Sequence, residues 1–271
     1  MNNSNAILES LRRKIVIDES SYKDALRELR NAFKENINLK TVLDRGLCLS
    51  KKYKPNVQLL WMGINPSYNE KNKYVKNEPR PQEFAPFYDD FDELLKTGKY
   101  YWRTVSKILL GENRDKNLNI NKEHLDLFSI RNTNQEFLHI VGKRNLNNDT
   151  IEFLVDHIWY TQQFLENYLK PKVIIMANNA GGGYLGLNKD CVWMGYQTKE
   201  IITKTEFPGK VYRIIGIRKE KGLVRQYDYK NQLNGTIILH AWHQGYQCKK
   251  DKQIKTEHIV ELLKIAGINE Q

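Results

Sequence analysis

The chain has only three cysteines in 271 residues, Cys48, Cys191 and Cys248, far apart and without a C-x-x-C pair. That spacing excludes a zinc ribbon and leaves too few thiols for an iron–sulfur set, so ordinary reduced cysteines are expected. No apolar run approaches the roughly 20 residues of a membrane span. The opening Met-Asn-Asn-Ser-Asn-Ala lacks the basic-then-apolar layout of a secretory leader. A cytoplasmic, monomeric protein without a membrane partner is expected, with no metal and no cofactor. No Walker A sequence, H-E-x-x-H, repeat or low-complexity tract occurs. Acids are also scarce, 32 against 43 Lys and Arg, for a net charge of +11. The excess is concentrated in residues 210–255, where eleven basic residues face Glu220, Asp228 and Asp251, a difference of 11 − 3 = +8. A polyanionic partner fits that surface; solvated surface charge is the bland alternative.

What is present is a globular composition, 40% apolar and 28% charged, with length enough for one large core or two small ones. Tyr22, Ala25, Leu26, Leu29 and Phe33 recur at helical spacing behind Ser20 and Ser21, two possible N-caps, within an N-terminal helical extension over residues 1–50. Residues 51–271 read as an α/β domain. Buried strands are predicted at 57–64, 124–130, 173–178 and 236–240, all in one parallel sheet, with a peripheral hairpin around 201–217 that turns at Pro208-Gly209. Residues 68–100 read as a long aromatic and proline-containing loop, 91–111 as one helix ending at Gly111, 150–169 as an amphipathic helix, and 255–268 as a closing helix.

In sheets of this kind, sites form where strand C-terminal ends meet loops. Four such ends carry polar residues: Gly63-Ile64-Asn65-Pro66-Ser67, Asp126 in "HLDLFSIRNT", Asn178-Asn179-Ala180-Gly181-Gly182-Gly183, and His240-Ala241-Trp242-His243. Read alone, Asn65 is equally a turn amide, Asp126 a satisfied buried acceptor or a partner of Arg131, and His240 a structural histidine. Gly181, Gly183 and Gly186 also spell a G-x-G-x-x-G, a weak dinucleotide signal because no acid ends a following strand at the expected distance.

G-I-N-P-S after the first buried strand, "DLFSIRNT" in the middle, and an apolar strand ending in His resemble, in that order, the motifs of the uracil-DNA glycosylase superfamily. The resemblance covers roughly residues 55–250. It implies a three-layer α/β/α sandwich with a central, mainly parallel four-stranded sheet, the first and third strands adjacent at its centre. It also implies a monofunctional DNA glycosylase that flips a base out of the stack and hydrolyses its N-glycosidic bond. Asn65 then positions the attacking water once the sugar is cationic, and His240 donates a hydrogen bond to a base oxygen as charge develops there. The base-binding set is Gly63, Ile64, Asp126, Phe128 and Asn178, with Phe84, Phe87 and Tyr88 as an aromatic platform.

Two departures bear on specificity. The second motif continues as Ala241-Trp242-His243 where the superfamily has Pro and Ser, so Trp242, His243, Gln244 and Tyr246 become candidates for filling the vacated stack. Asp126 stands where the superfamily commonly has an asparagine; a carboxylate only accepts, which suits the exocyclic amine of a cytosine-type base, such as the hypermodified cytosines of some phage genomes. Anti-phage defence is the biological expectation. Ser67, Arg218, Lys219, Arg225, Lys249 and Lys250 are the expected DNA-backbone contacts. The competing expectations are a non-catalytic nucleic-acid-binding protein on the same fold and a nucleotide-binding enzyme using the glycine-rich loop.

Overall fold

The computed structural model describes residues 7, 19–50, 52–64, 90–97, 101–111, 118–131, 148–187, 193–202, 206–218, 233–245 and 248–268. The chain divides into two compact units, one from residues within 1–52, 64–89 and 126–161, the other from 53–63, 90–125 and 162–271. One division falls between Lys52 and Tyr53, and the first unit also takes in residues from 64–89 and 126–161.

In the first unit, helix α1 (Glu19–Ala32) buries Tyr22, Ala25, Leu26 and Leu29, as the 3.6-residue spacing predicts, and Phe33 follows it into the core. The helix already includes Ser20 and Ser21, so neither caps it from outside. Helix α2 (Ile37–Asp44) is capped by Asn36, whose Oδ1 accepts from the Leu39 amide at 3.2 Å while its Nδ2 donates to Thr150 Oγ1 at 3.0 Å. The Tyr22 hydroxyl accepts from Leu47 N and donates to Leu47 O, both at 2.9 Å. An isolated antiparallel bridge then joins Leu47 to Ile130. The Phe33 and Phe153 rings meet edge-on at 5.2 Å. The N-terminal helices are thus part of a core shared with residues 126–161.

The second unit holds a six-stranded mixed sheet in the order β2-β1-β3-β6-β5-β4. Strands β1 (Leu59–Gly63), β3 (Val173–Met176) and β6 (Ile237–Ala241) are parallel neighbours and almost wholly buried, which is why each reads as an unbroken apolar run. The predicted adjacency of the first and third strands is found. The expected four-stranded parallel sheet is not. Strand β5 (Gly209–Ile217) pairs antiparallel with β6, and β4 (Tyr196–Ile202) antiparallel with β5. The hairpin is therefore an integral part of the sheet: Val211 and Ile214 bury on β5, while Lys210 and Ile215 stay exposed, and the pair covers an edge that β6 would otherwise leave open. Strand β2 runs Lys122–Asp126, earlier than predicted, so Asp126 ends it half-buried instead of sitting within a buried run.

Within the predicted helix over 91–111 the described residues form α3 (Phe91–Thr97) and α4 (Tyr101–Leu110). Helix α5 (Asn148–Phe164) widens into a π-helical stretch, Leu165–Leu169, and stops at Lys170 in the left-handed region ahead of Pro171. Helix α6 (Gly181–Leu185) follows β3, and α7 (Thr256–Ile265) closes the chain, packing against β6 and donating from Thr256 Oγ1 to the Ile108 carbonyl of α4 at 2.8 Å. No described helix is long and apolar enough to cross a membrane.

The β2 end of the sheet buries charge. Lys122 pairs with Asp92, which also pairs with Lys54. Beside them Glu123, wholly buried, accepts from the backbone amides of His124 at 3.0 Å and Lys54 at 3.1 Å. Burial pushes its carboxyl up to about 7, against the pull of those two amides and the Lys54 ammonium. The folded chain therefore keeps a proton that the unfolded chain releases near the ordinary 4.5. Stability should fall as pH rises through that window, by about 3 kcal/mol from this residue at ~1.4 kcal/mol per unit, and level off above it. Urea denaturation of the protein and of Glu123→Gln at pH 4.5–8 checks this: the variant should lose that part of the pH dependence.

Candidate functional site

The parallel ladder sets three strand ends level with one another, because Met62 of β1 is in register with Met176 of β3, and Met176 with His240 of β6. From this edge emerge Gly63, the Ala177-Asn178-Asn179 loop and the Trp242-His243 segment. Asn178 closes its own turn, its Oδ1 accepting from the Ala180 amide at 2.9 Å. That turn leads into α6, whose glycines have specific neighbours. A Cβ on Gly181 would run into the Met176 sulfur, and one on Gly182 would lie 2.6–3.0 Å from three atoms of the His240 ring. Gly186, at φ +86°, ends the helix where any side chain would also strike the Tyr196 carbonyl at 2.7 Å.

His240 is half-buried. Its Nε2 lies 3.0 Å from the Asn179 carbonyl, and Lys210 is its cross-strand neighbour on β5. Burial lowers its pKa, the Lys210 charge adds to that, and the carbonyls of Asn178 and Asn179 oppose it. The net shift favours the neutral ring. Sequence reasoning does not reveal Asn179, Gly182 and Lys210 as neighbours of His240; the run of glycines straight after two asparagines is the available signal.

Three residues further on, the His243 ring stacks on Tyr101 of α4, with centroids 4.8 Å apart and planes 19° from parallel. The Trp61 indole N–H, inside β1, donates to the Tyr101 hydroxyl at 2.8 Å and fixes that ring. His243 Nδ1 accepts from the Gly245 amide at 3.2 Å. Although His243 as a whole is exposed, its ring is sheltered by Tyr101, and this desolvation lowers its pKa. Trp242, between the two histidines, is 53% exposed. Nothing in the sequence ties Tyr101 to this segment.

Two expected DNA contacts have other duties. Gln244 is fully buried; its Nε2 donates to the carbonyls of Trp242 (2.7 Å) and Lys252 (3.2 Å), and its Oε1 accepts from Ile254 N at 2.8 Å. It staples the segment to the chain ahead of α7, and cannot fill a base stack. Arg218 donates to the Gly186 carbonyl at 2.8 Å, holding the end of α6. Lys249 and Lys250 are exposed beside the 3₁₀ turn Lys250–Lys252. In the first unit, Ile64 is buried and its carbonyl accepts from the Phe128 amide at 2.8 Å. The Phe128 ring is itself wholly buried, 6.1 Å from His157, so it faces core and not a base. Asn65, Ser67, Phe84, Phe87, Tyr88, Lys219, Arg225 and Tyr246 lie outside the described residues, as does most of the loop expected over 68–100. Among the described residues no group of three His, Cys, Asp or Glu side chains is placed to hold a metal ion.

Comparison with protein-family models, curated proteins and solved structures finds no match to this chain.

Tyr101 makes a separable prediction. Tyr101→Phe keeps the ring under His243 but leaves the buried Trp61 N–H without its acceptor, costing about 1–3 kcal/mol in denaturation. Tyr101→Ala additionally uncovers His243, whose titration, followed by NMR of its ring protons, should rise towards the ordinary 6.5; in Tyr101→Phe it should stay low.

Proposed function

We propose that the chain is a monofunctional DNA glycosylase that hydrolyses the N-glycosidic bond of a flipped, modified base. The observation that carries the reading is the level edge of the β1-β3-β6 ladder. There Gly63 ends β1, ahead in sequence of Asn65-Pro66-Ser67, and His240, held at the Asn179 carbonyl, lies near the end of β6. The strand order β2-β1-β3-β6 within the sheet supports it too, since the resemblance implies the first and third strands at the centre of a three-layer α/β/α sandwich. On this reading Asn65 orients water towards C1′ as the bond to the base breaks, His240 contacts the departing base, and Trp242 fills the vacated stack. The bond electrons leave with the base, water supplies hydroxyl to the sugar, and an abasic site remains.

The preferred base is a modified cytosine, with Asp126 accepting from its exocyclic amine. Defence against phage genomes that carry such bases is the setting this specificity suits. A non-catalytic DNA-binding protein is the competing reading, favoured by one observation: the engagement of His240 Nε2 by the Asn179 carbonyl. The nucleotide-binding reading is weakened by the packing of Met176 on Gly181 and of the Tyr196 carbonyl on Gly186, two of the glycines it would need.

The experiment is incubation of the protein with duplexes carrying uracil, hydroxymethylcytosine or glucosylated hydroxymethylcytosine, followed by alkaline cleavage at abasic sites. Removal of a modified cytosine with little action on uracil is expected; efficient uracil removal with none of the modified cytosine sinks the specificity, and no abasic site on any duplex sinks the enzyme. Asn65→Ala and His240→Ala should each lower excision by on the order of 10² or more with DNA binding nearly intact, because both side chains act chiefly on the transition state. Asp126→Asn should shift preference towards uracil. Reversing the charge of Lys249 and Lys250 together should weaken DNA binding across all sequences and flatten its salt dependence; an unchanged slope would assign them to plain surface.

A further inference from the structure

Strands β1, β3 and β6 contain no lysine or arginine, and a cation stands one strand further on. Lys210 of β5 is directly opposite His240 in the antiparallel pair, so the two side chains project from the same face of the sheet. It is the face that α6 covers at the end of the ladder. Gly182 meets the His240 ring there, Gly181 meets the Met176 sulfur, and Met176 is in register with His240. Tyr212, two residues beyond Lys210, shares the face, and Glu200 of β4 is directly opposite Tyr212. Glu200 is thus the diagonal neighbour of Lys210, and Nζ meets its Oε2 at 3.3 Å. The lysine side chain is 65% exposed and the glutamate side chain 31%. Burial lowers the His240 pKa and the Lys210 charge adds to it, so the ammonium is felt at the ring. The hydrogen bond to Glu200 raises the pKa of Lys210 above its ordinary 10.5, and the ammonium stays charged throughout the physiological range.

We propose that Lys210 is a positioning residue for the nucleic-acid backbone: it holds a phosphate of the strand whose nucleotide meets His240, and Glu200 is the internal counter-ion that this phosphate displaces. The inference rests on the reading of this strand edge as a DNA site, and it adds an anchor separate from Lys249 and Lys250. Adjacent strands lie about 4.8 Å apart, so Lys210 is within reach of the phosphates that flank a nucleotide whose base lies at His240. The exchange is feasible because the ion pair is exposed, and an exposed pair contributes little. A phosphodiester carries the same charge as the carboxylate it replaces and takes over the same charge-assisted hydrogen bond. Diffuse attraction by surface lysines would be indifferent to which carboxylate lies nearby. Exchange makes the effect of Lys210 depend on Glu200, and that dependence is what separates the two.

The test is DNA binding by the full chain, followed by fluorescence anisotropy over a salt series with a duplex carrying one hydroxymethylcytosine. Lys210→Gln should weaken binding about tenfold and flatten the salt slope by about one, and Lys210→Arg should restore both. An unchanged slope in Lys210→Gln overturns the proposal. Glu200→Gln should strengthen binding about threefold or more, and should lose most of that gain when Lys210 is already Gln. Equal gains in the two backgrounds reduce Glu200 to general charge and overturn the exchange. Uncharged methylphosphonates at the linkages flanking the modified base should weaken the wild-type protein and leave Lys210→Gln nearly unaffected; additive losses overturn the pairing. Inorganic phosphate should compete no better than chloride at matched ionic strength. Specific displacement of DNA from the wild type, but not from Lys210→Gln, would assign the site to a free anion instead of a strand. One readout needs no DNA: the His240 ring protons should titrate at higher pH in Lys210→Gln, and an unmoved titration overturns the placement of Lys210 beside the ring. Excision enters none of these measurements. The absence of abasic sites on every duplex would end the glycosylase reading while the phosphate contact still stands or falls on binding, and no measurable DNA binding overturns it.

Discussion

The middle strand of the parallel ladder, β3, is the constraint on which the second unit depends. Val173, Ile174, Ile175 and Met176 are all fully buried, so every backbone group must find a partner in β1 or β6 and both faces must be covered. The register is fixed before the strands begin. Val173 N donates to the Gln58 carbonyl at 2.9 Å, Ile237 N to Lys172 O at 3.0 Å, and Thr236 Oγ1 to Pro171 O at 2.8 Å. A slip of one residue would break these clasps and turn every side chain to the opposite face. Because the starts are locked, the ends are level, and residues more than 60 positions apart in sequence arrive at one edge.

The two ends of the sheet handle polarity differently. At the β2 start, the buried Lys122 pairs with the half-buried Asp92, which also pairs with Lys54, and the buried Glu123 carboxyl is held by the amides of His124 and Lys54 while burial favours its protonated form. It clasps the chain at Lys54 to the strand. At the opposite edge the polar groups are neutral: two imidazoles with lowered pKa, backbone carbonyls, and amide turns. Neutral donors and acceptors keep a fixed polarity across the physiological pH range, which suits the reading of a neutral base more than the attraction of a phosphate.

Much of this is legible in the sequence because the signals are local. Unbroken runs such as "LLWM", "VIIM" and "IILHA" announce buried strands, and Tyr22, Ala25, Leu26 and Leu29 announce one face of a helix. The β4-β5 pair reads as a hairpin, but its pairing with β6 is a tertiary fact, and the half-solvated alternation of "GKVYRIIGI" fits an edge as well as an interior position. At the site, His240 and Trp242 stand out by their place after a buried strand. Gln244 misleads because a glutamine between aromatic and basic residues looks the same in sequence whether it faces DNA or staples a loop. Tyr101 and Gly182 give no signal of their own, since one reaches His243 from a helix some 140 positions away and the other matters for what it lacks.

The glycine run shows why spacing alone does not decide between ligands. A dinucleotide loop needs glycines so that backbone amides can approach a pyrophosphate at the head of a helix. Here Gly181, of that pattern, leaves room for the Met176 sulfur, and Gly182, at one of its variable positions, leaves room for the His240 ring. In both uses the absent Cβ is the functional group, and both place G-x-G-x-x-G directly after a buried strand. What separates them is the occupant of the space: a side chain of the neighbouring strand already fills it. That strand is β6, and His240 reaches the glycines only because β3 and β6 are parallel and in register. A run that reads as a phosphate cradle thus contains, at Gly182, a seat for an imidazole.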